Sequence, residues 1–381
     1  VLLTCGYLHQ FLSLTLMINS ISGGQKALLQ GLRKYRSMAK ATAFGAFLGL
    51  LVSIPCYYFL RVKGIVPALV ASSFISLILS WYYARKVSIN RIRITIFETL
   101  HEAKTLIKLG VIFSISNQIG NLTKYLILTS ISNKGGVDQV GLYSAGMSFM
   151  GTYVGLIFTA MSTDYYPRLA AINKDNNRIK TMVNQQSIVS LLILFPIVIF
   201  LLWSMPIITR LFLSIRFIDI VPYVNLTVLG VILKALSYCI GYISFAKGDT
   251  KLFFWMEGIF SNGLNLVLTV LGYKYFGLIG VGYAYILLYV IYPSVLYFII
   301  YHRYNFRFDS DLIFILVIVI IVSVFAYLSI CFMSSLILFL ILSFLQIFAI
   351  LFSLKEINKR IDLKSILKKT MNHRKSKDKV C

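Results

Sequence analysis

Residues 312–331 read LIFILVIVIIVSVFAYLSIC, an unbroken run of twenty residues without a charged side chain. About 20 helical residues cross the hydrocarbon core of a bilayer, and a helix satisfies its own backbone hydrogen bonds there. The whole chain is 58% hydrophobic with a mean hydropathy of +0.82, which no soluble domain requires. We predict an all-α, polytopic membrane protein with about eleven transmembrane helices, at residues 5–22, 41–60, 64–83, 105–131, 138–162, 185–204, 222–245, 252–272, 276–300, 312–331 and 334–354.

Most of the 37 Lys and Arg residues gather in every second gap between these spans. Basic loops stay on the cytoplasmic side during membrane insertion, so this alternation fixes the orientation. The gaps of the opposite side hold few basic residues: Arg61, Lys63, Lys134, Arg210, Arg216 and Lys274. The pattern predicts a cytoplasmic C-terminus.

Eleven crossings then place the start of the chain outside. The chain begins at Val1, without Met and without the charged region or cleavage site of a signal peptide. We expect missing sequence upstream, with an odd number of further spans. A GTG-type start codon read as Val is the competing interpretation.

The net charge of +24 does not indicate a nucleic-acid partner, because basic residues in these loops are first of all an insertion signal. The basic tail either lies on anionic membrane lipids or is simply solvated. Five Cys and four His residues lack metal-ligand spacing, so we predict no metal and no cofactor.

Three charged residues lie far from the predicted span ends: Lys124, Lys234 and Glu257. Such residues are costly in hydrocarbon and often functional. Each of two spans also carries polar residues at helical spacing, which places them on one face. The first stripe is Ser114, Asn117, Asn121 and Lys124, with Gln118 beside it, and the second is Glu257, Ser261, Asn265 and Thr269.

These stripes admit two interpretations. In the first, they line a water-filled cavity in which Lys124 and Lys234 attract an anionic substrate. In the second, the Asn and Ser side chains join packed helices, and a lysine pairs with Glu257 or extends to an interface.

An internal repeat suggests two lobes. The first copy consists of a basic gap, a span, a short turn at residues 63–64 and a further span. The same order of elements recurs later in the chain, with its short turn at residues 274–277. Parallel repeats of this kind occur in transporters. The predicted domains are 1–84 (the last three spans of an N-lobe), 85–104 (a cytoplasmic linker), 105–301 (a six-span C-lobe), 302–354 (two extra spans) and 355–381 (a basic cytoplasmic tail).

Short motifs in a fixed order along the chain carry a family resemblance. They are QGLR at 30–33, MAKA at 38–41, KGIVPA at 63–68, GLY at 141–143, DYYPRL at 164–169, KALSY at 234–238 and AKGD at 246–249. In these the chain resembles the polysaccharide-specific flippases of the multidrug/oligosaccharidyl-lipid/polysaccharide exporter superfamily, often called O-antigen translocases. The resemblance implies a fourteen-helix, two-lobe fold of which this chain is an N-terminally truncated form.

The resemblance also implies a function. Such a protein is not an enzyme: it moves an undecaprenyl-diphosphate-linked oligosaccharide across the bacterial inner membrane by alternating access, with a polymerase of the same pathway as a candidate partner. Cationic side chains attract a diphosphate, and amide and hydroxyl groups form hydrogen bonds with sugars. We therefore assign Lys124 and Lys234 to the diphosphate, Asn117, Gln118 and Asn121 to the cavity lining, Glu257 to a coupling or structural ion pair, and Asp164, Pro167 and Arg168 to a hinge or structural turn.

Two other functions remain open. A multidrug exporter of the same superfamily would need acidic groups for cationic drugs, and Glu257 is the interior carboxylate that could serve. A membrane enzyme of polysaccharide assembly, such as a polymerase or acyltransferase, would need a large outside loop or clustered His and acidic residues. The longest outside gap, at about 205–221, is too short for a catalytic lobe.

Overall fold

The computed structural model describes residues 2–87, 95–333 and 335–360, almost all of them helical and none in a strand. Eight helical segments are long and apolar enough to cross a membrane. The helices are α1 (Leu2–Gly31), α2 (Tyr35–Leu60), α3 (Ile65–Arg85), α4 (Ile96–Phe149), α5 (Gly155–Ala171), α6 (Asn176–Phe212), α7 (Val221–Ala246), α8 (Thr250–Phe253), α9 (Ser261–Tyr304), α10 (Ser310–Phe332) and α11 (Ser335–Arg360). The predicted all-α, polytopic membrane protein is confirmed.

Two of these helices are broken at a glycine. Gly136 in α4 has a φ of 77° and Gly277 in α9 has a φ of 61°, a region that glycine occupies without strain. The predicted boundaries between the fourth and fifth spans and between the eighth and ninth spans fall at these glycines. The predicted span 138–162 covers the end of α4 and the start of α5, and the predicted span 252–272 covers α8 and the start of α9.

The chain forms two compact units, residues 1–99 and 100–381, and the division falls within the predicted linker 85–104. The predicted tail lies outside the described residues from position 361 onward, as does the linker at positions 88–94. The assignment of these units to lobes stays a prediction.

Unit 1 contains α1, α2 and α3, joined by a polar seam. The Lys26 Nζ atom of α1 donates a hydrogen bond to Ser76 Oγ of α3 at 2.9 Å. Ser80 Oγ donates to Gln25 Oε1 at 2.6 Å, and the Ser80 hydroxyl also lies 3.1 Å from Ser22 Oγ. Hydroxyl and amide groups commonly form hydrogen bonds between membrane helices. Small side chains also let the helix backbones approach each other closely.

Unit 2 is built around α7. This helix packs against α6 and α9, and most of its side chains are buried. Helices α10 and α11, which contain the two predicted extra spans, pack against α6 and belong to the same unit. The central position of α7 explains why its polar residues need partners from neighbouring helices: they cannot reach water.

Turns at one end of unit 2 are held together by charged groups. This end is the one predicted to be cytoplasmic. The Asp249 carboxylate, which begins α8, forms an ion pair with Arg303 at 2.6 Å and accepts a hydrogen bond from the Tyr304 hydroxyl at 2.6 Å. Lys247 Nζ donates to the Asn173 carbonyl at 2.9 Å. These bonds connect α7, α9 and the α5–α6 turn.

Candidate functional site

A cavity of about 360 Å³ opens within unit 2, between α4, α7 and the start of α9. Ligand pockets in proteins typically measure roughly 300–1,000 Å³, so this cavity can hold a small molecule or one part of a larger one. Its walls combine aromatic rings with amide, hydroxyl and carboxylate groups. The lining residues are Phe113, Ser116, Asn117, Gly120, Tyr238, Gly241, Tyr242, Phe245, Phe253, Glu257, Ser261 and Asn262.

Glu257 reaches the cavity from a π-helical segment. Residues Phe254–Phe260 form this wider turn between α8 and α9, a local geometry that often marks functional sites. The turn frees backbone carbonyls from their usual partners, and the Asn262 side chain compensates by donating to the Glu257 and Gly258 carbonyls at 2.9 Å and 2.8 Å. The side chain of Asn262 therefore fixes the turn that positions the carboxylate.

The Glu257 carboxylate accepts a hydrogen bond from a tyrosine and faces a glycine. Tyr292, on the second half of α9, donates its hydroxyl to Glu257 Oε1. A Cβ atom at Gly241 on α7 would lie only 2.9 Å from the same oxygen, so glycine leaves the room that this carboxylate occupies. The Glu257 side chain also lines the cavity, where its carboxylate can meet a ligand.

Aromatic rings form one wall of the cavity. The rings of Phe113 and Phe253 lie 6.1 Å apart with an angle of 23° between their planes. The ring of Phe245 contacts both, at centroid distances of 6.1 Å and 5.3 Å. Tyr238 donates its hydroxyl to the Phe158 carbonyl at 2.8 Å, and its ring contacts that of Tyr242 at a centroid distance of 5.0 Å. The cavity thus offers flat apolar faces beside hydrogen-bonding groups.

Lys234 lies on α7 and does not line the cavity. Its ammonium group is surrounded by aromatic rings, at 5.6 Å from the centroids of Phe158 and Tyr289 and 6.0 Å from that of Tyr285. Such contacts stabilise a cation in an apolar environment. Within the described ranges Lys234 and Glu257 form no contact ion pair, although their charges influence each other.

The polar stripe predicted on α4 is divided by the structure. Asn117 lines the cavity, whereas Gln118, Asn121 and Lys124 are exposed and lie outside it. Asn121 donates to Gln118 Oε1 at 3.4 Å. The face of α4 that meets the cavity instead contains Phe113, Ser116, Asn117 and Gly120.

Asp164, Pro167 and Arg168 lie in the last turns of α5, away from the cavity. Arg168 Nη2 pairs with Asp164 Oδ2 one helical turn earlier at 2.8 Å. The neighbouring Tyr165 is buried and donates its hydroxyl to the Cys239 carbonyl of α7 at 2.9 Å. These contacts attach the end of α5 to α7.

The sequence did not reveal the tyrosines that contact Lys234 and Glu257. Tyr285, Tyr289 and Tyr292 are spaced four and three residues apart on α9, so they share one helical face. The first two face Lys234 and the third bonds Glu257. Their spacing was a usable signal, but nothing local shows that this face meets α7.

The chemistry of the cavity suits a polar ligand with a flat apolar side. Carboxylate, amide and hydroxyl groups can bind hydroxyl or ammonium groups, and aromatic rings can cover a carbon face. Among the described residues no three His, Cys, Asp or Glu side chains converge in a way that could hold a metal ion.

Comparisons with known proteins agree on the class of protein. The model of a family described as "Polysaccharide biosynthesis protein" matches residues 4–222. A Shigella flexneri protein named "Putative O-antigen transporter" is 28% identical over 176 residues, covering 45% of this chain and 40% of that protein. The chain therefore aligns with less than half the length of this curated relative.

Two solved structures are similar to this chain to different degrees. The lipid II flippase MurJ, in an inward closed conformation, aligns with a TM-score of 0.61 and 17% identity, over 93% of this chain and 74% of MurJ. An outward-facing multidrug resistance MATE family transporter of the MOP superfamily aligns with a TM-score of 0.46 and 19% identity, over 59% of this chain and 53% of its own. The first similarity shows that this chain shares the fold of MurJ.

Proposed function

Because this chain belongs to the polysaccharide biosynthesis protein family, we propose that it is part of a flippase for lipid-linked oligosaccharides. The substrate in this proposal is a polysaccharide repeat unit joined through diphosphate to undecaprenol. It moves across the bacterial inner membrane by alternating access. The observation that carries the proposal is the cavity of unit 2, where sugar-compatible groups lie inside a membrane-spanning helix bundle.

The proposed lobes follow the repeat in the sequence. Unit 1 would be the last part of an N-lobe, and α4 to α9 would be the C-lobe. The basic residues of alternate gaps support a cytoplasmic C-terminus. Membrane lipids and a polymerase of the same pathway are the proposed partners, because a flipped repeat unit must next be polymerised.

In this proposal Lys124 and Lys234 bind the diphosphate at different stages. Lys124 is exposed on α4, with no ion-pair partner in the described part of the chain, so it is free to meet an anion. Lys234 is enclosed by aromatic rings in the present conformation and would become accessible only when α7 and α9 separate. Asn117, Gln118 and Asn121 would bind sugar hydroxyls.

The remaining assignments are structural or concern coupling. Glu257 would couple transport to proton or cation movement, because its carboxylate is enclosed and bonded to a tyrosine. Asp164, Pro167 and Arg168 would form a structural hinge at the end of α5, since this turn is anchored to α7 through Tyr165.

A complementation assay tests the proposal. The full-length protein that contains this chain is expressed in a strain lacking its own flippase, and surface polysaccharide is measured. We expect restoration by the unmodified protein and at least a tenfold loss when Lys124→Ala and Lys234→Ala are combined. Lys134→Ala, an exposed lysine on the same helix α4, serves as the matched control. Full activity of the double variant would exclude the diphosphate assignment.

One observation favours a second candidate, a multidrug exporter. The cavity contains the Glu257 carboxylate and aromatic rings but no basic side chain, a combination that also fits an organic cation. Drug resistance conferred without any restored surface polysaccharide would support this candidate. No cluster of His and acidic residues appears in the described ranges to favour a membrane enzyme.

A further inference from the structure

The lining of the cavity of unit 2 contains one acidic side chain and no basic side chain. Its twelve lining residues include the Glu257 carboxylate but no Lys, Arg or His. The nearest cation, Lys234, lies behind the wall among the rings of Phe158, Tyr285 and Tyr289. A second carboxylate brought into this space would meet like charge at short distance, in a site that excludes much of the water.

The geometry of the wall favours a pyranose ring. The rings of Phe113 and Phe253 are stacked, with 23° between their planes, and both line the cavity beside the ring of Phe245. The face of an aromatic ring carries partial negative charge, which attracts the carbon-bound hydrogens of a sugar. This wall adjoins the groups that would bind the hydroxyls, namely the side chains of Asn117, Ser261 and Asn262.

The Glu257 carboxylate, which lines the cavity, supplies the discriminating contact. An ionised carboxylate only accepts hydrogen bonds, so it can bind a sugar hydroxyl or ammonium group but not a second carboxylate. Tyr292 holds Oε1 from one side, and Gly241 gives the group its space on α7. The carboxylate is therefore held in position before a ligand arrives, which limits the entropy lost on binding.

We propose that this cavity is a subsite for one pyranose ring of the substrate, and that Glu257 makes it select neutral or amino sugars over acidic sugars. The inference rests on the proposed flippase function and specifies its substrate: at least one residue of the repeat unit lacks a carboxylate. Glu257 acts here as a specificity-determining residue.

Saturation-transfer difference NMR on the full-length protein in lipid nanodiscs tests this subsite directly. The probes are methyl glucoside, glucosamine and glucuronate at equal millimolar concentrations. We expect saturation of the ring protons of the first two and at least a tenfold weaker apparent affinity for glucuronate. Glu257→Gln keeps the shape of the side chain and removes its charge, so it should raise the glucuronate affinity at least tenfold. Glu356→Gln, on α11 outside the cavity, should change nothing.

Three results would overturn the inference. They are equal binding of glucuronate and methyl glucoside to the unmodified protein, unchanged discrimination in Glu257→Gln, and binding of tetraphenylphosphonium without any sugar binding. Phe253→Ala gives a second check, because loss of the aromatic wall should abolish sugar binding while the helix bundle remains folded. Complementation is scored separately: restored polysaccharide without sugar binding refutes the subsite alone, and sugar binding without restored polysaccharide refutes the flippase.

Discussion

The bond between Tyr292 and Glu257 connects the second half of α9 to the π-helical segment that precedes this helix, and its removal is a direct test of the site. Tyr292→Phe deletes one hydroxyl and leaves the ring, which is 2% exposed, in its packed position. The carboxylate then loses the one protein hydrogen bond that the structure gives its side chain. We expect Glu257 to become more mobile and unit 2 to become less stable.

The magnitude depends on the charge of the acceptor. A hydrogen bond to a charged group contributes about 1.5–3 kcal/mol, whereas hydrogen bonds between membrane helices average about 0.6 kcal/mol. Because the acceptor is a carboxylate, we expect a loss of about 2 kcal/mol in the free energy of unfolding. For a unit of this size that corresponds to a decrease of roughly 4–8 °C in Tm.

Exposure of Cys239 provides the assay. This thiol is buried at 1% exposure on α7, so it reacts with a fluorogenic maleimide only after unfolding, in a protein whose other four cysteines are serine. Tyr283→Phe is the control, since this tyrosine lies on the same helix with 51% of its surface exposed.

A double-mutant cycle isolates the bond itself. Tyr292→Phe and Glu257→Gln should together cost less than the sum of their separate effects, with a coupling energy of about 1–2 kcal/mol. A Tm decrease below about 1 °C for Tyr292→Phe, or strict additivity in the cycle, would refute the assigned bond.

Two further outcomes concern the cavity and the start of α4. Gly241→Ala places a Cβ atom 2.9 Å from Glu257 Oε1 and should reduce sugar binding severalfold. Gly263→Ala is the control, because a Cβ atom there meets open space, and it should leave sugar binding unchanged. Equal effects of the two substitutions would contradict the steric argument. Glu98 accepts hydrogen bonds from the backbone and side chain of Thr95, which lower its pKa. These hydrogen bonds cap the start of α4. Because they lower the pKa of Glu98, the cap stabilises α4 fully above about pH 4.3, the usual pKa of a glutamate, and is lost as the pH falls through the pKa that Glu98 has in the folded protein. Hydrogen exchange at residues 96–99, corrected for intrinsic rates, should therefore accelerate as the pH falls through the lowered pKa of Glu98, but not in Glu98→Gln. The same acceleration in that variant would show that the cap is not responsible.

The polar stripe of α4 shows which features of the site can be predicted from the sequence and which cannot. Helical periodicity correctly places Asn117, Asn121 and Lys124 on neighbouring positions of one face, and only the first of them lines the cavity. The residues that complete the lining on this helix include Phe113 and Gly120, which carry no polar signal. Periodicity states which residues share a face, but the neighbour of that face depends on how the helices pack.

The sequence by itself determined the class of fold and the approximate places of the apolar helices. It could do so because a bilayer leaves a chain of this composition one way to satisfy its backbone, namely helices of fixed length. Only the tertiary structure decided that Glu257 meets Tyr292 while Lys234 lies apart among aromatic rings. Lateral packing between distant segments makes those pairings, and local sequence contains no record of it.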